Sequence, residues 1–89
     1  MSVKVMTRVW AHSHQSGSGL LLMLALADGS DDDGVCFGEI KDLAHKARLT
    51  VDQTRGELSR LISRGALKKI EDVGAGNDYF QILEAQNVD

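Results

Sequence analysis

The sequence contains no proline and only one cysteine, Cys36. Because Cys36 has no second cysteine to pair with, an internal disulfide is excluded, and we expect a reducing, intracellular environment. The chain also has no low-complexity runs, and 43% of its residues are apolar, which favours a globular fold over disorder. Its 89 residues leave room for one small domain with a modest core.

A long hydrophobic run is absent as well. The apolar run LLLMLALA, residues 20–27, is far too short to span a bilayer. Preceded by Lys4 and Arg8 and ending in Ala25-Leu26-Ala27, it is similar to a secretory signal, but the segment before it is no simple charged leader. We interpret it as the first core helix, from about Gly19 to Asp28, capped by Ser16 or Ser18. A cytoplasmic protein without a membrane partner is expected.

Positive charge is in short supply, with ten Lys and Arg against thirteen Asp and Glu and a net charge of −3. DNA-binding domains are usually basic. However, four of the acidic residues lie together in the loop from Asp28 to Asp33, and Glu84 and Asp89 lie near the C-terminus. Eight of the ten basic residues fall between the second predicted helix and the strand after the third. They are Lys41, Lys46, Arg48, Arg55, Arg60, Arg64, Lys68 and Lys69. This distribution indicates a locally basic face that contacts phosphates, or else a solvated face of mixed charge.

The segment from Glu39 to Leu83 has the pattern helix, tight turn, helix and two short strands. After a short strand at 35–37, with Gly38 as N-cap, the second core helix ends near Ala47. The third opens with a capping box between Thr50 and Gln53 and ends at Arg64 and Gly65. Its predicted buried side consists of Thr54, Leu58, Leu61 and Ile62. Strands are predicted at 66–72 and 79–83, and a short helix pairing Met6 with Trp10 precedes them all.

Three stretches carry a family resemblance: LALADGSDDDGVCF, GEIKDLAHKARLT and LSRLISRGALKKIE. They resemble the winged helix-turn-helix domains of phage and plasmid replication-initiator or replisome-organiser proteins. The opening SVKVMTRVWAHS is similar to the leader of such domains in actinobacterial mobile-element proteins. The resemblance implies an α+β winged helix-turn-helix fold with three core helices and a small β-hairpin wing at 17–83. A short N-terminal extension (1–16) and a flexible tail (84–89) would flank it.

The same resemblance implies double-stranded DNA binding, with residues 51–64 as the recognition helix. We expect a transcriptional regulator or replication accessory factor of a mobile genetic element, acting alone, as a homodimer or with a protein partner. Gln53 and Arg55 are candidates for base edges, and Gly56, Ser59 and Ser63 form a strip of low relief. The predicted DNA-binding residues are Arg48, Thr50, Gln53, Arg55, Gly56, Ser59, Arg60, Lys68 and Lys69.

The alternative is a winged-helix interaction module whose strip packs on a protein. The net charge and a wing, Gly74 to Asp78, without lysine or arginine favour it. Other chemistry is disfavoured. The acidic loop is out of register for calcium, His12 and His14 have no third ligand nearby, and Cys36 has no accompanying His-Asp arrangement. We therefore expect no enzyme, no metal and no cofactor.

Overall fold

The structure, a computed structural model, describes residues 3–72 and 77–83. The fold is α+β, with four helices and a three-stranded antiparallel sheet of order β1-β3-β2. The helices are α1 (Val3–His12), α2 (Gly17–Asp28), α3 (Ile40–Ala47) and α4 (Val51–Ser63), and the strands are β1 (Val35–Glu39), β2 (Leu67–Asp72) and β3 (Asn77–Ile82). This arrangement is compatible with a winged-helix-like fold. The predicted tail at 84–89 and the wing residues 73–76 lie outside the described residues.

The N-terminal segment is part of the core. Val5 and Val9 lie one turn apart on α1 and are 1% and 0% exposed, packed in the main hydrophobic cluster. Two valines four residues apart share one face of a helix, so α1 buries a stripe while Trp10 remains 65% exposed. The predicted N-terminal helix is confirmed. However, the core contains four helices rather than the predicted three, because α1 contributes to it.

Helix α2 lies at the centre of the core, which confirms the interpretation of the apolar run. Leu22, Met23 and Leu26 are at most 1% exposed. Ser16 occupies the N-cap position, as predicted, but its side chain makes no cap hydrogen bond. The hydroxyl of Ser18 instead donates to the carboxylate of Glu57 on α4. Among the described residues, no helix combines the length and apolarity needed to cross a membrane.

Strand β1 is longer than predicted, because it continues through Gly38 to Glu39. Gly38 is therefore a strand residue rather than an N-cap, and Glu39 occupies the N-cap position of α3. A Cβ at Gly38 would lie 3.0 Å from both Leu43 Cδ1 and Phe80 Cε2. Glycine at this position lets β1 approach the helix and the aromatic ring closely.

The central strand β3 fixes which side chains enter the core. Phe80 and Ile82 are buried, and Cys36 of β1, the register partner of Phe80, is 3% exposed. The Cys36 thiol donates to the Phe80 carbonyl oxygen at 3.7 Å, and burial, with a smaller contribution from Asp31, raises the pKa of the thiol to about 12. Cys36 is thus a small core residue, as the sequence indicates.

The acidic loop is organised by one of its own carboxylates. Asp31 Oδ1 accepts hydrogen bonds from the backbone N–H of Asp33 at 2.9 Å and of Val35 at 3.0 Å. Gly34 completes the turn with φ of 82°, and its carbonyl accepts the Ile82 N–H at 2.9 Å. Local side-chain bonding of this kind is the usual role of aspartate in turns.

The predicted leucine core is confirmed, with one error on α4. All six leucines lie in the core cluster: Leu22, Leu26, Leu43, Leu58, Leu61 and Leu67. Thr54 is fully buried, and its hydroxyl donates to the Thr50 carbonyl at 2.8 Å. Ile62, however, is 38% exposed. It lies at the edge of the buried side of α4, where it lines an open groove between α4 and the sheet.

We expect Leu58→Ala to lower the free energy of unfolding by about 2–5 kcal/mol, because it leaves a cavity in a small core. Ile62→Ala, one turn further along α4, should cost clearly less because its side chain is already partly hydrated. Thermal or urea unfolding followed by circular dichroism compares the two variants with the parent. A Leu58→Ala melt that coincides with the parent's would contradict the core described above.

Candidate nucleic-acid interface

The turn between α3 and α4 contains a non-glycine residue in a left-handed conformation. Arg48 has φ 61° and ψ 39° and forms the C-cap of α3. The N–H groups of Arg48 and Leu49 donate to the carbonyls of His45 and Ala44 at 3.3 and 2.9 Å, which satisfies the end of α3. The Arg48 guanidinium also donates to the His45 carbonyl at 2.9 Å. This predicted site residue therefore lies over the C-terminus of α3, where a cation is favoured.

The predicted capping box of α4 is confirmed. Thr50 Oγ1 accepts the Gln53 N–H at 3.0 Å, and Gln53 Oε1 accepts the Thr50 N–H at 2.9 Å. A paired contact with adenine requires both the oxygen and the amide nitrogen of a glutamine side chain. Because the cap already engages the oxygen, Gln53 is poorly placed for that contact. Thr50 and Gln53 act on α4 itself, by fixing where the helix begins.

The outward side of α4 is low in relief. Asp52, Gly56, Ser59 and Ser63 are all exposed, opposite the buried Leu58 side. A Cβ built on Gly56 would have no atom within 4 Å. We call Gly56, Ser59 and Ser63 the α4 strip. Its members carry at most a hydroxymethyl group, so a second surface can approach the helix backbone along it.

One flank of α4 is tied to the start of α2. Glu57 accepts a hydrogen bond from the Ser18 hydroxyl at 2.7 Å and pairs with Arg60, and Arg64 donates to Gln15 Oε1 at 3.1 Å. The hydrogen bond from Ser18, followed by that from Arg60, lowers the pKa of Glu57 below its usual value. The Glu57 carboxylate thus has its partners within the protein. Arg60, which the sequence predicts to contact DNA, forms its ion pair with Glu57 on this flank of α4.

The opposite flank of α4 forms a groove against the sheet. This groove has a volume of about 310 Å³, and we call it the α4–β2 groove. It is lined by Ile40, Arg55, Leu58, Ser59, Ile62, Lys69 and Phe80. The structure thus brings together three of the predicted site residues, Arg55, Ser59 and Lys69. The apolar floor of the groove was not expected from the sequence, because Ile62 had been assigned to the core.

The two lysines of β2 do not share a face. Lys69 pairs with Phe80, whose side chain enters the core, whereas Lys68 pairs with Gln81. Successive strand residues point to opposite sides of a sheet, so Lys68 lies on the outer side and Lys69 beside α4. An irregularity in the pairing follows immediately after Lys69.

The predicted basic cluster consequently divides into separate groups. On the α2 side, His45, Lys46 and Arg48 line a second groove of about 350 Å³ together with Leu21, Leu24, Ala25 and Asp28. There Lys46 Nζ lies 3.3 Å from an Asp28 carboxylate oxygen. Lys46 and Arg60 thus both form ion pairs within the protein, with Asp28 and Glu57. Arg55 and Lys69 lie together on the sheet side.

Backbone strain at Arg48 gives a stability prediction. A left-handed conformation costs an L-residue about 1–2 kcal/mol, a cost that glycine avoids. Arg48→Gly and Arg48→Ala both remove the guanidinium, so the difference between them isolates the backbone. We expect Arg48→Gly to be more stable than Arg48→Ala by about 1 kcal/mol in urea unfolding. Equal stability of the two variants would show that the turn is not strained.

The Ser18–Glu57–Arg60 contact gives a pH prediction. A carboxyl group with a lowered pKa in the folded state stabilises the fold above its ordinary value of 4.5. That contribution is lost as the pH falls below this value, through the lowered pKa of the folded state. We expect thermal stability to fall less between about pH 5 and pH 3 in Glu57→Gln than in the parent. Ser18→Ala should show part of the same effect, and superimposable acid profiles for all three would contradict it.

Comparison with known proteins does not assign the chain. No family model, no curated protein and no solved structure matches it. The functional argument therefore depends on the α4 strip, the two grooves and the distribution of charge among the described residues.

Proposed function

We propose that this protein binds double-stranded DNA as a winged helix-turn-helix domain. In this proposal α3, the Arg48–Thr50 turn and α4 form the helix-turn-helix, and β2 and β3 form the wing. The observation that carries it is the α4 strip. The major groove of DNA is about 12 Å wide and admits an α-helix, and an outward face of glycine and serine permits the closest approach.

The arrangement of polar groups around α4 supports contacts of two kinds. Ser59 on the strip and Arg55 at its edge offer side chains to base edges, with Arg55 suited to guanine. Lys69 extends from β2 on the same side of α4, and Arg48 lies at the turn before it; both are suited to phosphates. Lys68, on the outer side of β2, adds to the long-range attraction of the polyanion. Gln53, Thr50 and Arg60 have internal partners, and we assign them no base contact.

The biological setting remains that implied by the sequence resemblance. We infer a cytoplasmic regulator of transcription or an accessory factor of replication in a mobile genetic element. A chain with two cations engaged in ion pairs and a net charge of −3 binds duplex weakly on its own. Pairing of two copies on adjacent half-sites would compensate for a small number of phosphate contacts.

A second candidate function follows from the same neutralised charges. If Lys46 and Arg60 are occupied internally, the α4 strip serves equally well as a packing surface for a helix of another protein. Small residues allow close contact between helices in the same way as they allow contact with DNA. Gly56→Leu distinguishes the two functions. It blocks binding of duplex if α4 contacts DNA, and it blocks association with the partner helix if α4 packs on a protein.

Duplex titration tests the proposal. With DNA from upstream of its own coding sequence, we expect Arg55→Ala to lose about 1–3 kcal/mol of discrimination at one base position. Lys69→Ala should weaken binding to all duplexes alike and reduce the salt slope by about one, whereas Lys68→Ala should reduce it by less, because Lys68 adds only long-range attraction. Gly56→Leu should abolish binding, since it places a bulky side chain on the strip while nothing surrounds that position in the folded protein.

The controls separate loss of binding from loss of folding. Arg60→Ala, whose side chain faces α2, should leave base discrimination unchanged. Each variant is checked by circular dichroism before titration by fluorescence anisotropy at two salt concentrations. If the parent binds no duplex at about 50 mM salt and micromolar protein, where nonspecific binding is ordinarily detectable, the DNA proposal is wrong.

A further inference from the structure

Two arginines border the α4 strip, one on each side. Arg55 lies one turn before Ser59 on the sheet side, and Arg60 lies one turn after Gly56 on the α2 side. Residues four apart on a helix are surface neighbours, so both side chains can reach a ligand seated on the strip. Within residues 3–72 and 77–83, no hydrogen bond or ion pair engages Arg55, whereas Arg60 pairs with Glu57. The two arginines are therefore unequally available.

The carboxylate of Glu57 is held in place by a second helix. Its Oε2 accepts the hydrogen bond from the Ser18 hydroxyl at 2.7 Å, and its Oε1 pairs with Arg60. A Cβ at Gly19 of α2 would lie 3.5 Å from the same Oε1, so the carboxylate lies against α2. The side chain of Glu57 is 15% exposed and that of Arg60 is 49% exposed. An anchored carboxylate cannot follow Arg60 toward a ligand on the strip, so Arg60 must leave Glu57 to reach one.

We infer that Glu57 competes with DNA phosphate for Arg60 and thereby limits the affinity of the chain for duplex. This inference rests on the proposed function. Carboxylate and phosphate oxygens bind a guanidinium in the same geometry, so one can replace the other. While Arg60 is paired with Glu57, its charge is neutralised and releases no counterion from the duplex. A single copy then binds weakly, and occupancy depends on pairing of two copies at adjacent half-sites.

Glu57→Gln tests the inference, because it removes the charge and keeps the shape of the side chain. Its amide oxygen can still accept the hydrogen bond from Ser18. We expect Glu57→Gln to bind duplex about tenfold more tightly than the parent at about 50 mM salt, with a salt slope steeper by about one. The gain should be the same for every duplex, since phosphate contacts carry no sequence information. Base discrimination through Arg55 should be unchanged.

A double-mutant cycle separates the release of Arg60 from the change in net charge. Glu57→Gln makes the chain less negative, and this alone strengthens attraction to a polyanion. The same substitution is therefore also made in the Arg60→Ala background, where no arginine can be released. We expect only the small part of the gain that net charge causes to remain there, and the difference between the two backgrounds measures the contribution of Arg60.

A second measurement follows the ion pair without DNA. Pairing with a carboxylate slows rotation of a guanidinium group, and nuclear magnetic resonance of the arginine side chains detects the rotation. In the parent we expect slower rotation for Arg60 than for Arg55, which serves as the internal reference. In Glu57→Gln the two rates should become similar. Circular dichroism of each variant shows that its fold is retained.

Three results would overturn the inference and leave the proposed function standing. The first is duplex binding by the parent with no gain in Glu57→Gln. The second is an equal gain with and without Arg60, which would reduce the effect to net charge. The third is equal rotation of Arg55 and Arg60 in the parent. Absence of duplex binding in both the parent and Glu57→Gln is a different result, because it removes the proposed function and this inference with it.

Discussion

Burial of α2 is the constraint on which the rest of the structure depends. Every residue from Leu20 to Ala27 is apolar, and only Leu21 of this run is substantially exposed. A helix that is apolar on nearly all sides must be covered on nearly all sides. Accordingly α2 contacts the other three helices and strands β1 and β3. The position of α4, and with it the orientation of the α4 strip, follows from this packing and from the Ser18–Glu57 hydrogen bond.

The same constraint explains which parts of the fold could be predicted from sequence. The α3–α4 turn, the capping box and the helix end at Gly65 depend on local chemistry, and all were predicted correctly. The role of α1 was not, because Val5 and Val9 are an inconspicuous pair beside Met6 and Trp10. Their burial becomes necessary only when the all-round apolar character of α2 is taken into account. Likewise, Gly38 resembles an N-cap in sequence, and only the approach of Phe80 shows why glycine is required in the strand.

The candidate site was predicted less completely than the fold. Exposure of Gly56, Ser59 and Arg55 follows from helical periodicity, and it was predicted. The partner of Lys46 is Asp28 on another helix, so no pattern within one helix indicates it. Arg60, in contrast, pairs with Glu57 of the same helix, three residues earlier, a spacing at which helical side chains are neighbours. Strand alternation separates Lys68 from Lys69, although they are adjacent in sequence. A count of basic residues along the chain therefore overestimates how many of them share one surface.

The buried thiol of Cys36 can serve as a chemical probe of opening in the folded protein. Its thiol is held against the Phe80 carbonyl, and its pKa of about 12 leaves almost no thiolate at neutral pH. Since thiolate is the reactive form, a disulfide reagent modifies this residue only when local opening of the core exposes the thiol to solvent. The rate of labelling thus measures the opening of the core around β1 in the native protein, without any engineered probe. Because Cys36 is the single cysteine of the chain, the signal has one origin.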